Sequence, residues 1–97
     1  MHVLRLPQFT NEEDRPKILG WMKRPGERVE VGDVLGELET QKATFLVEAD
    51  RPGILLRLVA SVGIPLEPRS ALAIIGGEEE KAEAEAWVEE GPKEPKG

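Results

Sequence analysis

One lysine in this chain has neighbours suited to covalent modification. In Glu39-Thr40-Gln41-Lys42-Ala43, Lys42 sits among small and polar residues, with Leu38 and Phe45 outside them. Leu38 and Phe45 read as core anchors on the two sides of a hairpin. Thr40, Gln41, Lys42 and Ala43 then form its tip, where an enzyme can reach the ε-amine. A lysine on a turn is ordinarily a solvated charge, so the framework that holds it decides its meaning. The rest of the chemical inventory is thin. There is no Cys, which excludes disulfides, thiolate metal sites and a cysteine nucleophile. A single His (His2) and two Ser (Ser61 and Ser70) do not assemble a Ser–His–acid triad or a histidine zinc site. The sequence therefore predicts no catalytic and no metal-binding residues of its own.

A hairpin tip needs a scaffold, and the 97 residues are enough for one small domain and a tail. Candidate strands are Val3–Leu6, Lys17–Met22, Val34–Thr40, Ala43–Glu48, Ile54–Val59 and Ala71–Ile75, rich in Val, Ile and Leu. Pro25-Gly26, Gly32-Asp33 and Pro52-Gly53 punctuate them as turns. A weak internal repeat runs at an offset of 37 residues: Ile18-Leu19 matches Leu55-Leu56, Trp21 matches Leu58, Gly26 matches Gly63, Val29 matches Leu66, Leu35 matches Leu72 and Leu38 matches Ile75. Two half-units that each bury one face need each other to close a core. The expected fold is all-β: a flattened barrel or sandwich of two small antiparallel sheets with quasi-two-fold symmetry, with Lys42 at the junction of the halves.

Charge divides the chain at Gly77. Residues 1–77 carry 10 Lys and Arg against 11 Asp and Glu, whereas residues 78–97 carry 3 Lys against 8 Glu, a net of −5. Neither part offers the basic field that nucleic acid requires, and no apolar run approaches the roughly 20 residues of a membrane span. The N-terminus lacks a basic-then-apolar leader pattern, so a cytoplasmic location is expected. Glu78–Glu90 has a helix-favouring composition, with Ala84, Trp87 and Val88 spaced to dock one face on the body. Residues 91–97 read as a Pro/Lys/Glu linker, which suggests a piece of a longer chain. Glu12, Glu13 and Asp14 read as a solvated loop, and Trp21 and Phe45 as packing residues.

The sequence resembles the lipoyl domains of 2-oxo acid dehydrogenase complexes, within the biotinyl/lipoyl-attachment family. Glu39-Thr40-Gln41-Lys42-Ala43 is similar to their attachment motif, usually Glu-Thr-Asp-Lys-Ala, with Gln41 in place of Asp. Gly26, 16 residues before Lys42, and Gly53, 11 after it, match the family's glycines. Leu6-Pro7, Ile18-Leu19-Gly20-Trp21, Pro25-Gly26-Glu27-Arg28-Val29 and Val31-Gly32-Asp33-Val34-Leu35 fit its pattern, and the likeness covers residues 3–77. Arg15-Pro16 stands where Glu-Gly is common, in a loop (Phe9–Pro16) that the family places near the modified lysine.

The resemblance implies lipoate joined to Lys42 by an amide, with Glu39, Thr40, Gln41 and Ala43 serving recognition and turn geometry. It implies a swinging-arm carrier, not itself an enzyme, in a dihydrolipoyl acyltransferase chain, most simply of the pyruvate type. Its partners would be a lipoate ligase or lipoyl transferase, a thiamine-diphosphate-dependent 2-oxo acid dehydrogenase, the acyltransferase catalytic domain and dihydrolipoyl dehydrogenase. The alternatives are a biotin carrier, whose lysine is typically flanked by Met on both sides, an unmodified structural or interaction module of the same fold, and a glycine-cleavage carrier. The sequence thus divides into a lipoyl domain, 1–77, and a tail, 78–97.

Overall fold

The computed structural model describes residues 1–7 and 15–89. Seven strands form in chain order: β1 (His2–Arg5), β2 (Lys17–Trp21), β3 (Arg28–Val29), β4 (Val34–Glu39), β5 (Thr44–Glu48), β6 (Gly53–Leu58) and β7 (Ala71–Gly76). They make two antiparallel sheets, one of order β1-β7-β6-β3 and one of order β2-β4-β5. Six of these strands coincide with those expected from the sequence to within a residue or two. β3 is the exception: two residues with one buried side chain, Val29, carry too little pattern to be read as a strand.

The core lies between the sheets and is built from repeat-related positions. Ile18 and Leu55, Val29 and Leu66, Leu35 and Leu72, and Leu38 and Ile75 are all buried. Backbone bonds repeat in the same way. The Gly26 N–H donates to the Leu55 carbonyl at 2.8 Å and the Gly63 N–H to the Ile18 carbonyl at 2.9 Å, each pair being the other displaced by 37 residues. Both glycines lie at positive φ, +100° and +83°, where a side chain is disfavoured. The irregularities repeat too: a register shift between Ile18 and Gly20 in β2 has its counterpart between Leu55 and Arg57 in β6. β5 and β1 correspond across the same relation, since the Ala49 N–H donates to Asp33 at 2.9 Å as the Leu6 N–H donates to Ser70 at 2.8 Å. The two sheets are therefore quasi-two-fold copies, and the β4–β5 hairpin has the β7/β1 pair as its counterpart.

After Gly77 the chain turns back over the outer face of the four-stranded sheet through a 3₁₀ turn (Glu78–Glu80) and a short helix, α1 (Lys81–Ala86). Ala84 is fully buried there, against Leu56 and Ile74, with Val3, Ile54, Val59 and Trp87 packed around them. Six helical residues are too few to be stable alone, so packing and capping hold them. The Arg57 guanidinium donates to the carbonyls of Ala84, Glu85 and Trp87, at 3.1, 3.4 and 2.5 Å, where the helix leaves acceptors unpaired. Arg5 adds an ion pair with Glu89 at 2.7 Å. The expected helix over 78–90 is thus shorter in the structure, and Val88 does not dock: it is 77% exposed, because the chain is already extended at Trp87.

Candidate functional site

Lys42 stands at the free end of the β4–β5 hairpin. Leu38, buried from β4, fixes one side of its base. Phe45 pairs with Leu38 in register but is 44% exposed, so the expectation that it anchors the core is corrected. Its ring lies instead at the mouth of an apolar groove of about 210 Å³, shared with Leu4, Pro7, Leu38, Val47 and Leu72, where edge strands β1 and β5 face each other.

The turn is held by its own residues. The Thr40 N–H donates to the Ala43 carbonyl at 2.8 Å, closing Thr40–Ala43 as a four-residue turn. The Thr40 hydroxyl donates to the same carbonyl at 3.0 Å and accepts from the Ala43 N–H at 3.1 Å and the Lys42 N–H at 3.3 Å. One side chain thus ties the backbone on both sides of Lys42, as Ser and Thr do in local turns. Gln41, Lys42 and Ala43 are exposed. The Lys42 ammonium forms no hydrogen bond and no salt bridge among the described residues. An ε-amine so presented is exposed for acylation, while the turn holds its backbone.

A polar depression of about 300 Å³ adjoins the turn, lined by Arg15, Lys17, Glu39, Thr40 and Gln41. Glu39 pairs with Lys17 across β2 and with Thr44 across β5. Arg15 is held by Glu67 at 2.5 Å, and the Pro16 carbonyl accepts from the Leu66 N–H at 2.8 Å, so the end of that loop is fastened beside the turn. The remainder of the expected recognition loop, with Glu12, Glu13 and Asp14, lies outside the described residues. The structure therefore brings together Glu39, Thr40, Gln41, Lys42 and Ala43, and adds Arg15 and Lys17, which pattern reading left in a loop and a strand. The cue for Lys17 was available only in three dimensions, because its register with Glu39 depends on how β2 pairs, whereas Arg15 lies in the loop that the resemblance places near the lysine.

Gly53 serves packing more than the turn. A Cβ there would lie 2.9 Å from Ile75 Cγ2, and its φ of +153° disfavours a side chain. Trp21 packs against the core and donates from Nε1 to the Ala60 carbonyl at 2.9 Å, far in sequence from Lys42.

Known proteins share this framework. Residues 2–75 match the biotin/lipoyl family model, described as "Biotin-requiring enzyme". The chain is 39% identical over 87 residues to the dihydrolipoyllysine-residue acetyltransferase component of the pyruvate dehydrogenase complex of Rickettsia conorii, covering 86% of this chain and 21% of that protein. It is 31% identical over 90 residues to the dihydrolipoyllysine-residue acetyltransferase component of the acetoin cleaving system of Pseudomonas putida, covering 92% of this chain and 24% of that one. It is 30% identical over 76 residues to the dihydrolipoyllysine-residue succinyltransferase component of the 2-oxoglutarate dehydrogenase complex of Staphylococcus saprophyticus, covering 78% of this chain and 18% of that one. The chain thus spans under a quarter of the length of these relatives.

Proposed function

The chain belongs to the biotin/lipoyl-attachment family, and from that premise we propose that Lys42 is its covalent attachment site and that the group it carries is lipoate. The observation that carries the reading is the Thr40-bound turn: an exposed ε-amine with no partner among the described residues, on a backbone held on both sides. The fit is one of access, because amide formation needs a lysine that can enter another enzyme's active site. On modification the amine gives up its charge, and the turn keeps its shape because Thr40 bonds only backbone.

When attached, lipoate supplies a dithiolane that accepts an acyl group together with two electrons. The chain's own part is presentation: β4 and β5 fix the root of the arm, and the attached group carries the chemistry. We read the domain as a carrier between the active sites of a 2-oxo acid dehydrogenase complex, within a dihydrolipoyl acyltransferase chain and of the pyruvate type. The relatives support this reading at the level of the complex, since they belong to pyruvate, 2-oxoglutarate and acetoin systems. Its partners in this reading are a lipoate ligase or lipoyl transferase, a thiamine-diphosphate-dependent dehydrogenase, the acyltransferase catalytic domain and dihydrolipoyl dehydrogenase.

The test is intact mass after incubation with lipoate, ATP and a lipoate ligase, beside Lys42→Arg and a parallel biotin ligase reaction. One lipoyl increment on the wild type and none on the variant is the expected result. A biotin increment would reassign the cofactor. No increment in either reaction would leave the fold as an interaction module.

A further inference from the structure

The outer faces of the two sheets are quasi-two-fold equivalents, yet the described residues cover only one of them. On the four-stranded sheet, Arg57, Ile74 and Val3 stand side by side in register, and with Leu56 and Val59 they lie beneath the tail. The equivalent row on the three-stranded sheet is Gly20, Glu37 and Leu46, with Leu19 and Met22 in the places of Leu56 and Val59. The backbone confirms the last match, since the Met22 N–H donates to Leu35 at 2.7 Å as the Val59 N–H donates to Leu72 at 2.9 Å. Leu19, Met22 and Leu46 are 44%, 54% and 53% exposed. Large apolar side chains gathered on one face, rather than scattered singly, mark an interaction surface.

Two substitutions across the repeat say what does and does not fit there. Glu37 replaces Ile74, and Gly20 replaces Arg57. A second copy of α1 would bring Glu83 and Glu85 towards Glu37 and find no guanidinium to cap its C-terminal carbonyls. The chain's own tail is therefore the wrong cover for this face. Glu37 forms no salt bridge among the described residues, so a Lys or Arg on an incoming helix has an acceptor waiting beside Leu46, its cross-strand neighbour.

We propose that this face docks a basic amphipathic helix of the dehydrogenase that acylates the arm on Lys42. The proposal rests on the carrier reading above. Position favours that occupant: the Gly20–Glu37–Leu46 row, with Leu19 beside it in β2, lies next on the same face to the Lys17–Glu39–Thr44 row at the base of the turn. Leu46 lies two residues along β5 from Thr44, about 7 Å at the usual strand rise from the base of the turn that carries Lys42. An enzyme seated there has its active site within the sweep of the arm. Three half-exposed side chains make a small contact, suited to a partner that must release the domain after each transfer.

The test lipoylates the 97-residue chain and the variants Leu19→Ser/Leu46→Ser, Glu37→Lys, Glu37→Gln and Val88→Ser with one ligase. Acylation is then measured with pyruvate, 2-oxoglutarate and branched-chain 2-oxo acid dehydrogenases in turn. Folding of each variant is checked by amide NMR spectra. The expected result is a KM about tenfold higher for the double Leu variant and for Glu37→Lys, with kcat changed by less than about twofold. Glu37→Gln flattens the salt dependence of KM, and Val88→Ser behaves as wild type. Unchanged KM in the face variants, with the wild type acylated, overturns the docking face alone. A defect at the lipoylation step instead assigns the face to the ligase and overturns it too. A lipoylated wild type that none of the dehydrogenases acylates overturns the carrier reading, and this proposal with it.

Discussion

Replacing Thr40 by Val exchanges one hydroxyl for a methyl of nearly the same size and leaves the backbone bond from Thr40 to Ala43 in place. What disappears is the donation to the Ala43 carbonyl at 3.0 Å, the acceptance from the Ala43 N–H at 3.1 Å and a longer bond to the Lys42 N–H at 3.3 Å. The site is partly exposed, so water competes, and each of the two shorter bonds contributes about 0.5 kcal/mol, the low end of the usual range. Together they hold the turn by about 1 kcal/mol, or about fivefold in the ratio of ordered to open turn. A modifying enzyme that recognises the ordered turn loses up to that factor in kcat/KM, because the substrate must first be ordered. Global stability changes little, since the tip opens locally. The assay is the initial rate of lipoylation of wild type, Thr40→Val and Thr40→Ser, followed by intact mass under limiting substrate. Thr40→Ser retains the hydroxyl and is expected near wild type. The reasoning fails if the Val variant is modified at the wild-type rate, or if Ser is impaired as much as Val.

Four other expectations follow from the same contacts. Gly36→Ala puts a Cβ 2.6 Å from the Gly20 carbonyl oxygen and 2.8 Å from the Trp21 ring, so urea unfolding is expected to show a loss of about 1–3 kcal/mol. Arg57→Gln removes the cation from the C-terminal carbonyls of α1; limited proteolysis is expected to cut the tail, and Trp87 emission to shift to the red, while the β body stays folded. Glu80 pairs with the N-terminal ammonium of Met1 at 2.5 Å, and that hydrogen bond lowers the carboxyl from 4.5 and raises the amine from 8.0. The pair's contribution is complete between those values. It is lost as pH falls through the lowered carboxyl value and as pH rises through the raised amine value. The stability difference between wild type and Glu80→Gln should therefore be a plateau with a fall at each side, and a difference independent of pH would refute the coupling. Leu55→Ala opens a cavity at a fully buried position and is expected to cost about 2–5 kcal/mol in denaturant titrations.

Much of the fold was legible because the repeat doubled every signal. The buried pairs Ile18/Leu55 and Leu35/Leu72 occupy equivalent places in two sheets, and a chance match would not repeat their backbone bonds. The hairpin tip was legible for a local reason: Thr40 and Ala43 close a turn within four residues, with no help from distant parts of the chain. Phe45 misled, since an aromatic residue next to a turn has the composition of a core anchor, while its burial depends on how closely β1 approaches β5. The tail was half legible. Ala84 and Trp87 dock as their spacing suggests, but the early end of α1 follows from Arg57, 27 residues before Ala84, which no local pattern connects to it. The exposed apolar face of the three-stranded sheet was invisible in the sequence, because Leu19, Met22 and Leu46 come to one face only through strand register.

The tail also decides from which end of the molecule the chain departs. Met1 and Gly76 lie at the end opposite the Lys42 turn, where His2 reaches Asp50 at 3.0 Å and Met1 reaches Glu80. A chain leaving at Gly77 would hold the domain by its far pole. The strap over the four-stranded sheet carries it back instead to Arg5 and Glu89, and Arg5 borders the same groove as Phe45 and Leu38 at the base of the turn. Anything joined beyond Glu89 is thereby leashed on the side that bears the lysine. Letting go of Arg57 and Arg5 would hand that leash back to the far pole, lengthening the radius that Lys42 sweeps without altering a residue of the turn.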